Sequence, residues 1–168
     1  MTGKYDIEIY NKRVHYHLTV KRNITVIQGD SATGKTELLR MISDYENNGI
    51  SSGITQICEK RCVVIENASW KERLATLQQC IIFIDEGAPF LRSKEFTRMV
   101  KGNDNYFVLV TRDSLEHLPY SIEEIYGMET AEIISGVVKE TGPDVLIVVD
   151  ALAARSTRRL NRTIQITK

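Results

Sequence analysis

Hydrophobic and polar positions alternate with period two along Tyr5-Asp6-Ile7-Glu8-Ile9-Tyr10 and again along Val14-His15-Tyr16-His17-Leu18-Thr19-Val20. The polar Asn11-Lys12-Arg13 lies between them, so the pattern predicts a β-hairpin with His15 and His17 on one solvent-facing side. Further along, alternation gives way to largely apolar runs at 24–28, 61–65, 81–84, 106–111 and 145–149. Runs of that kind are strands buried on both faces. Between them the spacing turns helical: Leu38, Met41, Ile42 and Tyr45 within 37–45, then Trp70, Leu74 and Leu77 after Ser69. A short helix is expected over 93–100, closed by Gly102, and another over 121–127. A third, over 130–141, carries Ile133, Ile134, Val137 and Val138 on one side and stops at Gly142-Pro143. Ser69 with Glu72 and Ser121 with Glu124 read as capping boxes, and 46–53 reads as a loop. Strands alternating with helices predict an α/β fold: a three-layer sandwich around a mostly parallel sheet, with the hairpin at its N-terminal end.

Composition changes this picture little. The 168 residues are 42% hydrophobic and 26% charged with a net charge of zero, which suits one globular domain. A neutral chain gives no long-range argument for nucleic acid or an anionic membrane as partner. No apolar run reaches the roughly 20 residues that cross a bilayer, and the polar start lacks a signal-peptide pattern, so a cytoplasmic location is expected. Three cysteines, Cys58, Cys62 and Cys80, are an odd number without framework spacing, and reduced thiols are expected. Cys58-x-x-x-Cys62 has no second ligand pair to make a metal site.

The candidate chemistry begins at Gly29-Asp30-Ser31-Ala32-Thr33-Gly34-Lys35-Thr36, between an apolar strand and a helix. Two glycines let the backbone curl so that successive N–H groups face phosphate oxygens. Lys35 then reaches the outer phosphates, Thr36 offers a hydroxyl to magnesium, and the helix N-terminus adds a favourable dipole. The competing reading is a glycine-rich turn with an incidental lysine. Ile81-Ile82-Phe83-Ile84-Asp85-Glu86 resembles the Walker B element of P-loop ATPases, and Thr111-Arg112 resembles the sensor position of the additional-strand, catalytic-glutamate class that includes AAA+ and ABC-like proteins. The resemblance implies ATP and Mg2+ as cofactors, Asp85 and Thr36 as metal ligands, and Glu86, Lys35 and Thr111 as catalytic residues. Neither an ABC signature nor a guanine-selecting Asn-Lys-x-Asp is present, so adenine is the expected base. The function implied is a magnesium-dependent ATPase, completed by a homo-oligomer or a protein partner. The alternatives are a non-hydrolysing ATP sensor and an inactive remnant of a different enzyme.

That last alternative rests on the C-terminal text. Pro143-Asp144-Val145-Leu146-Ile147-Val148-Val149-Asp150-Ala151-Leu152-Ala153-Ala154-Arg155-Ser156 and Asn161-Arg162-Thr163-Ile164-Gln165-Ile166 resemble an internal segment of the bacterial spore germination protease. The resemblance implies aspartate-dependent degradation of small acid-soluble spore proteins with Asp150 as a candidate catalytic residue; the alternative is a strand-end aspartate capping the turn that follows. The division implied is a P-loop core over 1–128 and a germination-protease-like segment over 129–168, whose helix and strand at 145–149 complete the sheet beside the strand that precedes the glycine-rich loop. Glu140 and Asp144 are the acidic residues nearest Asp150 in sequence, and Asp144 sits roughly 20 Å from it along an extended strand. Protease activity is therefore not expected. Arg155, Arg158, Arg159, Arg162 and Lys168 form a tail without acidic residues, read as an exposed basic segment.

Overall fold

The computed structural model describes residues 2–28, 34–112, 115, 117–118, 125–132 and 145–151. Strands β1 (Thr2–Tyr10) and β2 (Val14–Arg22) pair antiparallel as the alternation requires. Asn11 makes the turn: its Oδ1 accepts from the N–H groups of Arg13 at 2.8 Å and Val14 at 2.9 Å. Val14, Tyr16, Leu18 and Val20 are buried, whereas His17 is exposed and His15 Nε2 lies 3.1 Å from Glu8 Oε2. There follow β3 (Ile24–Gln28), α1 (Lys35–Asn48), a 3-10 turn (Gly49–Ser52), β4 (Thr55–Ile57), β5 (Cys62–Val64), α2 (Trp70–Thr76), β6 (Ile81–Asp85), α3 (Lys94–Lys101), β7 (Tyr106–Thr111), β8 (Ile125–Glu132) and β9 (Val145–Ala151).

The nine strands form one mixed sheet in the order β4-β1-β2-β9-β8-β3-β7-β6-β5. From β8 to β5 every neighbour is parallel, whereas β9 runs antiparallel to β8 and parallel to β2. Because strand residues alternate in direction, this sheet has two cores. On one face Ile27, Ile81, Phe83, Val108 and Val110 pack with Leu38, Leu39, Met41 and Ile42 of α1 and with the hairpin. On the other, Val26, Ile82, Ile84, Phe107 and Leu109 pack with Trp70 and Leu74 of α2 and Phe96 and Val100 of α3. Trp70 stacks on Phe90 at 4.7 Å between ring centroids and meets Phe96 edge-on at 5.8 Å. Strands β4 and β5 are the outermost members of the sheet, yet only residues 58–61 separate them in sequence. A chain advances at most about 3.6 Å per residue, so those edges lie within roughly 18 Å of one another. The sheet therefore curls, and α1 packs inside the curl.

Several local expectations change. The first helix runs through Asn48 and continues as the 3-10 turn, so 46–53 is not an irregular loop; the left-handed residue that ends it is Gly53, at φ 74°. Ser69 precedes α2 without capping it: its hydroxyl bonds Asn67 Oδ1 at 2.9 Å instead. Ser93 does cap α3, accepting from the Phe96 N–H. Residues 125–132 are a strand, not the end of one helix and the start of another, because the open edge of β3 offers Ile125, Tyr126 and Gly127 a parallel ladder. That makes β8, and not 145–149, the strand beside β3. The rest of the expected helices at 121–127 and 130–141, and the basic tail beyond 151, lie outside the described residues.

Candidate functional site

The parallel block brings the ends of β3, β6 and β7 together. Register aligns Gln28 with Thr111 and Asp85 with Val110, so Gln28, Asp85, Glu86, Thr111 and Arg112 emerge at one edge of the sheet. Glu86 is occupied there. Its Oε2 accepts from the Arg112 N–H at 2.6 Å and its Oε1 lies 3.0 Å from Arg112 Nε. The Gln28 side-chain amide donates to the Arg112 carbonyl at 3.0 Å. These bonds tie together the chain leaving three strands.

Gly34 leads into α1 at φ 88°, a left-handed conformation natural to glycine. Lys35 follows, buried, and Thr36 is exposed. Gly29, Asp30, Ser31, Ala32 and Thr33 lie outside the described residues. The hairpin fixes the entrance to this helix: buried Tyr16 on β2 donates its hydroxyl to the Gly34 carbonyl at 2.8 Å. Burial, reinforced by Glu37 and partly offset by Arg40, holds the Tyr16 hydroxyl above the ordinary tyrosine range. Glu37 in turn bonds Arg40 through both carboxylate oxygens, which keeps its carboxyl below the usual carboxylate range.

A second group of residues sits where β8 meets β9. Asp150 stands opposite Gly127, and Glu129 opposite Val148, in an antiparallel ladder. Glu129 is thus two positions along β8 from the residue paired with Asp150. Asp144 and Glu140 lie outside the described residues. Sequence proximity passed over Glu129, which is remote from Asp150 along the chain and becomes its neighbour only through strand pairing.

All three cysteines are free thiols, and no group of three or more metal-ligating side chains exists among the described residues. No helix among the described residues is long and apolar enough to cross a membrane.

Comparison with known proteins bears on the family that this chain resembles. A family model described as germination protease matches residues 116–168. Germination protease from Geobacillus sp. (strain WCH70) is 33% identical over 169 aligned residues, covering 75% of this chain and 45% of the relative. That from Bacillus mycoides (strain KBAB4) is 34% identical over 137 residues, covering 62% of this chain and 37% of the relative. That from Bacillus cereus (strain B4264) is 44% identical over 73 residues. The expected P-loop ATPase is overturned: a match to 75% of the chain extends well upstream of residue 129, into the region assigned to an ATPase core. Glycine-rich loop, strand-end carboxylates and strand-end threonine are each common in α/β sheets, and their coincidence outweighed a similarity that runs along most of the sequence. The expectation of no protease activity falls with it. What this chain resembles is germination protease, and it spans less than half the length of the relatives it matches.

Proposed function

We propose that this protein is an endopeptidase of the germination protease type, acting on small acid-soluble spore proteins. The observation that carries the reading is the similarity to germination proteases over three quarters of the chain, together with the family match at 116–168. Asp150 and Glu129, diagonal neighbours across the β8–β9 ladder, are the proposed carboxylate pair. A protease working through acidic side chains needs carboxyl groups in two roles, one accepting a proton from the attacking water and one giving a proton to the departing amine. The test is incubation of the purified chain with a small acid-soluble spore protein. Cleavage that Asp150→Asn abolishes and Glu129→Gln slows by at least about tenfold supports the pair; cleavage unchanged in both variants moves the activity elsewhere. The same incubation separates this reading from a catalytically silent relative, which leaves the substrate intact. For the architecture, we infer a three-layer sandwich of the P-loop type, with α1 on one face and α2 and α3 on the other. That inference is one of fold and carries no activity with it.

A further inference from the structure

The short connection between the two edges of the sheet is built around sulfur. Cys58 follows β4 and Cys62 opens β5, and both thiols turn back on the intervening Lys60 peptide. The Lys60 N–H donates to Cys58 Sγ at 3.4 Å, and Cys62 Sγ donates to the Lys60 carbonyl at 3.8 Å. The two sulfurs thus lie on the N–H and the carbonyl of one and the same residue. Lys60 itself is anchored, with Nζ 4.8 Å from the ring centroid of Tyr5 on β1 and 5.6 Å from that of Tyr106 on β7. Cys58 is half-buried, whereas Cys62 and Cys80 are buried.

We propose that Cys58 and Cys62 form a redox pair which a hydroperoxide converts to an intramolecular disulfide, closing a covalent clasp between the two edges of the curled sheet. Cys58 is the attacking thiol, since it is the more accessible and its sulfur accepts the Lys60 N–H. The neighbouring Cys62 thiol first, and the Lys60 N–H after it, outweigh burial and Glu59 and bring the Cys58 thiol down to about 7. Cys62 moves the opposite way, held protonated by the neighbouring Cys58 and by burial. The Cys58 thiolate attacks one peroxide oxygen; an S–O bond forms, the O–O bond breaks and hydroxide leaves, which takes a proton to become water. Cys62 sulfur then attacks Cys58 sulfur; the S–S bond forms, the S–O bond breaks, and the hydroxyl departs with the Cys62 proton as a second water. Two thiols are oxidised and one peroxide is reduced.

The experiment treats the full chain with hydrogen peroxide, alkylates it after denaturation, and maps the cysteines by mass spectrometry. The expected product is the 58–62 peptide lacking two hydrogens and refusing the alkylating agent, with Cys80 still alkylated. In Cys62→Ala the reaction stops at a Cys58 sulfenic acid that dimedone captures, and native Cys58 alkylation at pH 7 slows about tenfold as its thiol returns towards the ordinary range. Cys58→Ser leaves Cys62 unoxidised. Recovery of both cysteines alkylated in the treated wild type, a disulfide to Cys80, or a sulfenic acid that persists on Cys58 with Cys62 present overturns the pair. Cys62→Ser, closer in shape to the native residue, repeats the dimedone test if the alanine variant does not fold.

Discussion

At the residue scale, the side chains that hold this fold are polar groups buried in specific brackets, and few of them announce themselves in sequence. Asn105 is fully buried at the start of β7, where its Oδ1 accepts from the Cys80 N–H at 2.7 Å and its Nδ2 donates to the Leu77 carbonyl at 2.9 Å. It clamps the turn in which Gln79 adopts φ 53°, a left-handed conformation unusual for a residue with a side chain. Asn105→Ala leaves both main-chain groups without partners, and should cost about 2–3 kcal/mol in a denaturant titration. Tyr16 was legible as a core-facing residue from the alternation of β2, but nothing in the sequence tied its hydroxyl to Gly34, remote along the chain. Tyr16→Phe should cost about 1 kcal/mol at neutral pH. Its pH dependence has a definite sign. The folded hydroxyl keeps its proton at a pH where the unfolded tyrosine, near 10, loses it, so stability is full below about pH 10 and falls as pH rises beyond. Thermal melts of the wild type should decline more steeply above pH 10 than those of Tyr16→Phe; parallel declines would remove the linkage.

At the element scale, strands and helices with strong periodicity were readable and those decided by their neighbours were not. The hairpin, the apolar strands β3, β5, β6 and β7, and the helical stripes of α1 and α2 follow from spacing alone, because each buries the face that its pattern marks. Residues 125–132 failed that logic. Their cap-like serine upstream and the apolar stripe downstream point to helices, yet the exposed backbone of β3 on one side and β9 on the other offers a full ladder. Tertiary pairing outweighs local propensity in such segments. Capping signals were likewise half-reliable, and this yields a paired test. Ser93→Ala removes a cap that the Phe96 N–H uses and should cost about 1 kcal/mol, whereas Ser69→Ala, which removes no cap bond, should change stability by less than about 0.5 kcal/mol. Equal losses in the two variants would mean that the serines act through something other than capping.

For the whole molecule, a curled mixed sheet with helices on both faces positions two sets of carboxylates, and similarity along the chain selects between them. The pair at the ends of β6 and β7, Asp85 and Glu86, was conspicuous in sequence because both residues follow an apolar run; Glu86 turns out to be bound at both oxygens to Arg112. The pair at β8 and β9 was only half legible. Asp150 stood out by resemblance, but Glu129 gains its place through a strand pairing that no local pattern encodes. The similarity to germination proteases covers three quarters of the chain, whereas the phosphate-loop features occupy a few positions, and the proposed function follows the former. The measurement that bears most directly on this account is mass-spectrometric mapping of a small acid-soluble spore protein after incubation with the purified chain. Discrete internal cleavage by the wild type, lost in Asp150→Asn with its melting temperature unchanged, is the predicted result; an intact substrate after prolonged incubation, or the same fragments from the Asp150→Asn chain, would contradict it.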